Sequence, residues 1–228
     1  MSRLAKLGNK IRVLCQIQRG LLFQYGWLRA WWNGRPLDAS GEPIPWISYP
    51  AIDFLSQFDF SNASVFEWGS GFSTLWWAER CMSITSVESN ERWVPYIRDL
   101  LPEGVELVVT PHDVEAEIAA LVGCRVTEHD VIVIDNHGPF RWRCADAAVS
   151  RLAPGGFIIL DNSDQCLKAC QVLRSKSLSQ IDFAGFSPGN GYAQTTSIFF
   201  RQFWKFKTRD AVQPHRSLAQ PNLPWPGC

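Results

Sequence analysis

No stretch of the chain approaches the roughly 18 consecutive apolar residues needed to cross a bilayer. The amino end also lacks the unbroken apolar core of a secretory signal. Cysteines number seven and form no C-x-x-C pair; Cys166 and Cys170 stand one helical turn apart with no second pair to close a zinc site. Reduced thiols in a cytoplasmic protein are the expectation. Net charge is absent as well, with 22 basic and 22 acidic residues. Acids are missing from the first 37 residues, which hold seven Arg or Lys, whereas the remaining chain carries 15 basic and 22 acidic residues. An acidic body without a basic stripe interleaved with aromatics argues against nucleic acid as a substrate. No internal repeat is present.

What the chain does have is length for a full core, 228 residues and eleven Trp, enough for one generous domain with an appendage. Residues 1–50 form a basic arm and a proline-rich connector. In residues 1–36, Leu4, Leu7, Ile11, Leu14, Leu21, Tyr25, Leu28 and Trp32 recur at helical steps, with Arg3, Lys6, Lys10, Arg12 and Arg19 around them. Such a helix packs on the domain or on a dimer partner, or lies on a membrane surface; interruption by Gly8, Gly20 and Gly26 favours packing. Residues 51–206 form the main domain. Residues 207–228, with Pro214, Pro221, Pro224 and Pro226, are expected to lack order.

Within the main domain, apolar strands alternate with helical segments. Strands are predicted over 64–67, 83–88, 105–110, 130–135, 156–160, 180–186 and 195–200. Helices are predicted over 72–80, 90–100, 114–121, 141–152 and 166–176. Unbroken β-branched runs such as Val131–Ile134 mark strands covered on both faces. The first strand ends in Glu67-Trp68-Gly69-Ser70-Gly71, and the second ends in Glu88. A strand, a glycine turn, a helix, a second strand and a carboxylate build a nucleoside crevice at the strand ends. Glycines let a ligand approach the main chain, and Glu88 offers two acceptor oxygens to a ribose diol. A dinucleotide site calls for a third glycine where Thr74 stands, and the anionic Glu67 is ill suited to a pyrophosphate.

Glu67-x-Gly69-Ser70-Gly71 resembles the first motif of class I S-adenosylmethionine-dependent methyltransferases, and Glu88 matches their ribose-binding acid. The resemblance covers about residues 50–200. It implies an α/β fold: a doubly wound, mostly parallel seven-stranded sheet with an antiparallel last strand, here with an N-terminal helical extension. It implies S-adenosyl-L-methionine as cofactor, bound by Glu67, Gly69, Ser70, Gly71, Glu88, Asp113 and Asp135. Asp113 either approaches the adenine amine or caps the helix that begins at Val114. Asp135 ends the fourth strand beside the reacting methyl, and His137 is either a general base near neutral pH or an exposed loop histidine.

Residues 151–162 carry a weaker resemblance, to catechol-type metal-dependent O-methyltransferases, in which Asp135, Asp161 and Asn162 would hold Mg²⁺. The lysine base of that group is replaced by Gly138, and the other reading of Asp161 and Asn162 is a turn after the fifth strand. Trp46, Tyr49, Tyr192 and Gln194 are candidates to line an acceptor pocket. The function implied is O-methylation of a small-molecule or sugar-type acceptor. The alternatives are a nicotinamide-dependent oxidoreductase and a non-catalytic nucleoside-binding module.

Overall fold

Strands rich in β-branched residues need cover on both faces, and the computed structural model, which describes residues 3–201 and 204–209, supplies it. Seven strands form one sheet. They are β1 (Ser64–Trp68), β2 (Ser83–Glu88), β3 (Glu106–Val109), β4 (His129–Ile134), β5 (Leu152–Leu160), β6 (Ser179–Phe186) and β7 (Ala193–Phe200), in the order β3-β2-β1-β4-β5-β7-β6. All neighbours are parallel except β7, which runs antiparallel to both β5 and β6. The doubly wound fold with an antiparallel last strand is therefore as the sequence implies. Strand order reverses between β1 and β4, and the carboxyl ends of those strands open the crevice in which α/β folds bind ligands.

The alternation of side chains along each strand divides the core in two. Val65, Val131, Val133, Phe157 and Ile159 face one layer, with helix α3 (Tyr49–Leu55) and Trp76 and Trp77 of α4 (Phe72–Ala78). Phe66, Trp68, Ile132, Ile134, Ile158 and Leu160 face the other, under α6 (Val114–Gly123), α7 (Arg141–Val149) and α8 (Leu167–Ser175). A short α5 (Val94–Arg98) follows β2. Trp204 stacks on Phe157 at 4.7 Å between ring centres.

The arm divides as well. Helix α1 (Arg3–Gln18) leads through a π-helical turn, Arg19–Gln24, to α2 (Trp27–Asn33). Helix α2 docks: Ala30 is buried, and the Trp27 indole donates to the Asn190 carbonyl at 2.8 Å. Helix α1 does not pack on the domain. Residues 7–18 are all exposed, including Leu7, Ile11, Leu14 and Ile17. Of the packing expected from the sequence, docking on the domain is therefore not found for α1, whose residues Leu7, Ile11, Leu14 and Ile17 meet nothing among the described residues. A second correction concerns the start of the tail. The Asp59 N–H donates to Lys207 O and the Arg209 N–H to Gln57 O, so chain through 209 is tied to the domain; 210–228 lie outside the described residues. No helix among the described residues is long and apolar enough to cross a membrane.

Phe157→Ala is expected to lower stability by about 3–5 kcal/mol in urea unfolding, since its ring is fully buried and the layer cannot close behind it. Leu14→Ala, on the exposed arm, is expected to change it by less than about 0.5 kcal/mol.

Candidate functional site

The glycine turn after β1 is held from below by one buried acid. Glu67 is fully buried, and its Oε2 accepts from the Thr74 hydroxyl at 2.5 Å and from Ser86 at 2.9 Å. Thr74 Oγ1 in turn accepts from the Gly71 N–H at 2.9 Å. A relay therefore runs from the loop backbone through a hydroxyl to the carboxyl, and it gives a reason for Thr74 where a dinucleotide site would have glycine. Ser70 Oγ lies 2.6 Å from Ser86 Oγ, and the Trp93 indole donates to Ser70 O at 2.7 Å. Burial, only partly offset by hydrogen bonds from Ser73, Thr74 and Ser86, pushes the Glu67 carboxyl up to about 7. Its Oε1 has no partner among the described residues.

The two glycines differ. Gly69 has φ +98°, and a Cβ there would meet Asp135 O at 2.5 Å. Its need for glycine comes from the close approach of the β1 and β4 ends, rather than from a ligand as the sequence suggested. Gly71 is extended, and a Cβ there would meet only Ser73 Oγ at 3.9 Å. The protein itself leaves that side of the loop open.

It opens onto a cavity of about 470 Å³ walled by residues 69–73, the β2 end, and Asp135, Asn136 and His137. Glu88, nearly buried, closes its floor, with Oε1 accepting from the Asn90 N–H at 2.7 Å; burial raises its pKa against those backbone bonds. Trp46 of the connector joins the wall. Glu67 does not line the cavity but supports its loop. Neither does Asp113, whose side chain accepts from Ala116 N at 3.0 Å and caps α6. The acid that does reach the cavity from α6 is Glu117, one turn further on: it is buried, Asn136 donates to its Oε2, and its Oε1 has no partner among the described residues. The sequence held a signal for it, an acid inside the apolar stripe of Val114, Ile118 and Leu121. His112 and His137 face each other across the same wall at 4.9 Å between rings, and His137 is exposed. The lining therefore carries three acids, Glu88, Glu117 and Asp135, and no lysine or arginine.

The expected metal ligands meet an arginine instead. Arg141, at the start of α7, is 7% exposed. Its Nη2 donates to Asp135 Oδ1 at 2.8 Å, Nη1 to Asp161 O at 2.5 Å and to Asn162 Oδ1 at 3.2 Å, and Nε to Asn136 O at 2.8 Å. The Asp161 carboxylate turns the other way, accepting from Thr196 at 2.6 Å and from Gln194 at 3.2 Å. Burial, and then the charge of Asp135, pushes it up to about 7. A guanidinium held by Asp135 and Asn162 leaves no shared corner for an octahedral ion, so the residues present do not fit Mg²⁺. No group of three or more His, Cys, Asp or Glu among the described residues offers another metal site. Of the aromatics expected near an acceptor, Tyr49 is buried against Tyr25, and Tyr192 is exposed outside the cavity.

No protein-family model matches the sequence, and no curated protein matches it either. Solved structures do share the fold. A precorrin-6y C5,15-methyltransferase from Geobacter metallireducens aligns over 67% of this chain and 87% of its own at 16% identity, with a TM-score of 0.55. The O-methyltransferase from Bacillus cereus, solved in complex with SAH, aligns over 67% and 79% at 14% identity, with a TM-score of 0.53. Cofactor-bound Rv0187 from MTB aligns over 84% and 96% at 16% identity, with a TM-score of 0.55. The chain therefore has the Rossmann-like fold of class I methyltransferases.

Gly69→Ala is expected to destabilise the protein by about 2 kcal/mol or more, since it combines a left-handed φ with a carbonyl clash. Gly71→Ala should stay within about 1 kcal/mol in the same urea unfolding series. A pH dependence follows from Glu67. The native carboxyl, at about 7, holds its proton more tightly than the unfolded one, so stability falls as pH rises from about 4.5 towards 7. Glu67 contributes on the order of 3 kcal/mol at most to that fall, and Asp161 adds to it in the same direction. Comparing urea midpoints at pH 5 and pH 8, Glu67→Gln should show a smaller drop than wild type.

Proposed function

We propose that the chain is an S-adenosylmethionine-dependent methyltransferase acting on an oxygen of a small-molecule acceptor. The observation that carries this reading is the acid-lined, cation-free cavity beneath an open glycine loop in a class I methyltransferase fold. Glu88 offers carboxylate oxygen to a ribose diol at the end of β2. Glu117 Oε1, buried and unpartnered, is an acceptor for the exocyclic amine of a base, one of the two readings the sequence left for Asp113. Glu67 acts indirectly, holding Gly71 and Ser70 in place through Thr74 and Ser86. Asp135 and its neighbours place negative potential where a sulfonium and an ammonium would lie.

When bound, the donor would supply an electrophilic methyl to the acceptor oxygen's lone pair, the C–S electrons returning to sulfur as a neutral thioether and the hydroxyl proton passing to a base. The chain's task is alignment and removal of that proton. Asp135 and His137 both face the cavity and are the candidate proton acceptors. A nicotinamide dinucleotide is disfavoured, since its pyrophosphate would meet three acids and no cation. Cytoplasmic location is part of this proposal and rests on the reduced-thiol reading of the cysteines.

Calorimetry with S-adenosylhomocysteine should give saturable binding that Gly71→Arg abolishes while circular dichroism stays native. Undiminished binding in that variant would remove the glycine loop from the site. Binding without turnover on any acceptor would leave a nucleoside-binding module. Chelation of magnesium should leave methyl transfer unchanged; loss of transfer on chelation would restore a metal.

A further inference from the structure

A second cavity, about 580 Å³, is walled by Gly138, Pro139 and Arg141, which follow the first cavity's Asp135–His137 in the chain, and by the starts of α7 and α8. Its electrostatics are the reverse of the first. The wall includes Arg141 and Lys168 and no acid. Arg141 makes four hydrogen bonds to Asp135, Asn136, Asp161 and Asn162 and brings its charge to the cavity wall beside Cys166. The Lys168 ammonium sits 3.2 Å from the ring centre of Trp142, another wall residue, and makes no ion pair among the described residues. The cation–π contact keeps that charge at the cavity without neutralising it. Neither α7 nor α8 has an acid in its first turn or a side-chain cap, so their dipoles add to the same sign. Asn162 and Gln165 supply neutral donors at the rim.

We propose that this cavity receives the methyl acceptor by an anionic group, a carboxylate or a phosphate, held between Arg141 and Lys168. The proposal rests on the methyltransferase reading for the word acceptor, but the anion site stands on the second cavity alone. Asp135 links the two spaces. It lines the first cavity and accepts from Arg141 at the second, so an anion seated on Arg141 lies one ion pair away from the donor side. Acceptors of this class are hydroxy acids, acidic phenols or phosphorylated hydroxyl compounds, rather than neutral sugars or amines.

The test uses the full chain and three probes of one shape: benzoate, phenyl phosphate and the neutral benzamide, at constant ionic strength. The Trp142 indole resonance, assigned with Trp142→Phe, reports on the wall by NMR. Saturable shifts are expected with one or both anions and not with benzamide, and which anion binds tighter distinguishes carboxylate from phosphate. Lys168→Glu should weaken anion binding by about tenfold while leaving S-adenosylhomocysteine binding unchanged, since Lys168 lies outside the first cavity. Equal response to benzamide, no saturable anion shift, or an unchanged affinity in Lys168→Glu would overturn the anion site. Failure of wild type to bind S-adenosylhomocysteine would overturn the methyltransferase reading instead, and leave any anion site standing.

Discussion

The guanidinium of Arg141 ties the ends of β4 and β5 together and decides the polarity on either side of them. A buried cation is tolerated only when charge and hydrogen-bond acceptors surround it. Here Asp135 supplies the charge, and the carbonyls of Asn136 and Asp161 with the amide of Asn162 supply the rest. One cation therefore serves a region that holds three carboxyls, Glu67, Asp135 and Asp161. Burial pushes Glu67 and Asp161 up to about 7, with the charge of Asp135 the next cause for Asp161 and only a minor one for Glu67, and both are buried among hydroxyl donors. Asp135, half-buried and paired with the arginine, is the member that also faces a ligand space.

From that clasp follow two cavities of opposite character, lined by successive parts of one short segment, 135–137 and 138–141. The first is floored and walled by acids, and suits a ligand bearing ammonium, sulfonium and diol groups. The second is lined by two cations and two uncapped helix starts. On the proposed reaction the arrangement has a simple logic. A positive donor and a negative acceptor approach across the Asp135–Arg141 pair, and the transfer leaves a neutral thioether. Away from bulk water, opposite charges attract more strongly than in solution, so holding each partner in a complementary field favours their approach.

Much of this was legible in the residues. The limits of β2, Ser83 to Glu88, follow from the apolar run and its terminal acid, and the order of strands and helices follows from the change of period along the chain. The pattern was less informative where one residue type serves two physical ends. Gly69 looks like a ligand-facing glycine but is required by the carbonyl of Asp135, a contact between strands distant in sequence. Asp113 looks like a binding acid but is a helix cap, while Glu117, inside an apolar stripe, is the acid that reaches the cavity. The stripe of α1 has the spacing of a packed helix, yet spacing does not say whether a partner surface exists, and none is found among the described residues.

The case of Asp135, Asp161 and Asn162 shows why residue type and strand position are not enough to define a metal centre. All three stand where the resemblance places ligands, and Asp135 and Asn162 do converge on a positive charge. The charge comes from α7, because Arg141 follows a short 3₁₀ turn, Gly138–Phe140, that folds it back over the strand ends. An octahedral ion would demand carboxylate oxygen from Asp161, which is engaged instead by Thr196 and Gln194 on β7. A guanidinium is planar, keeps its charge at any physiological pH and is fixed by the backbone that carries it. It cannot give up its place to substrate oxygens as a hydrated ion can, so on the proposed reading the acceptor's anion binds beside it and leaves its ligands in place. That restriction points to a monoanionic or dianionic group beside the arginine, rather than the chelating diol that a metal would favour.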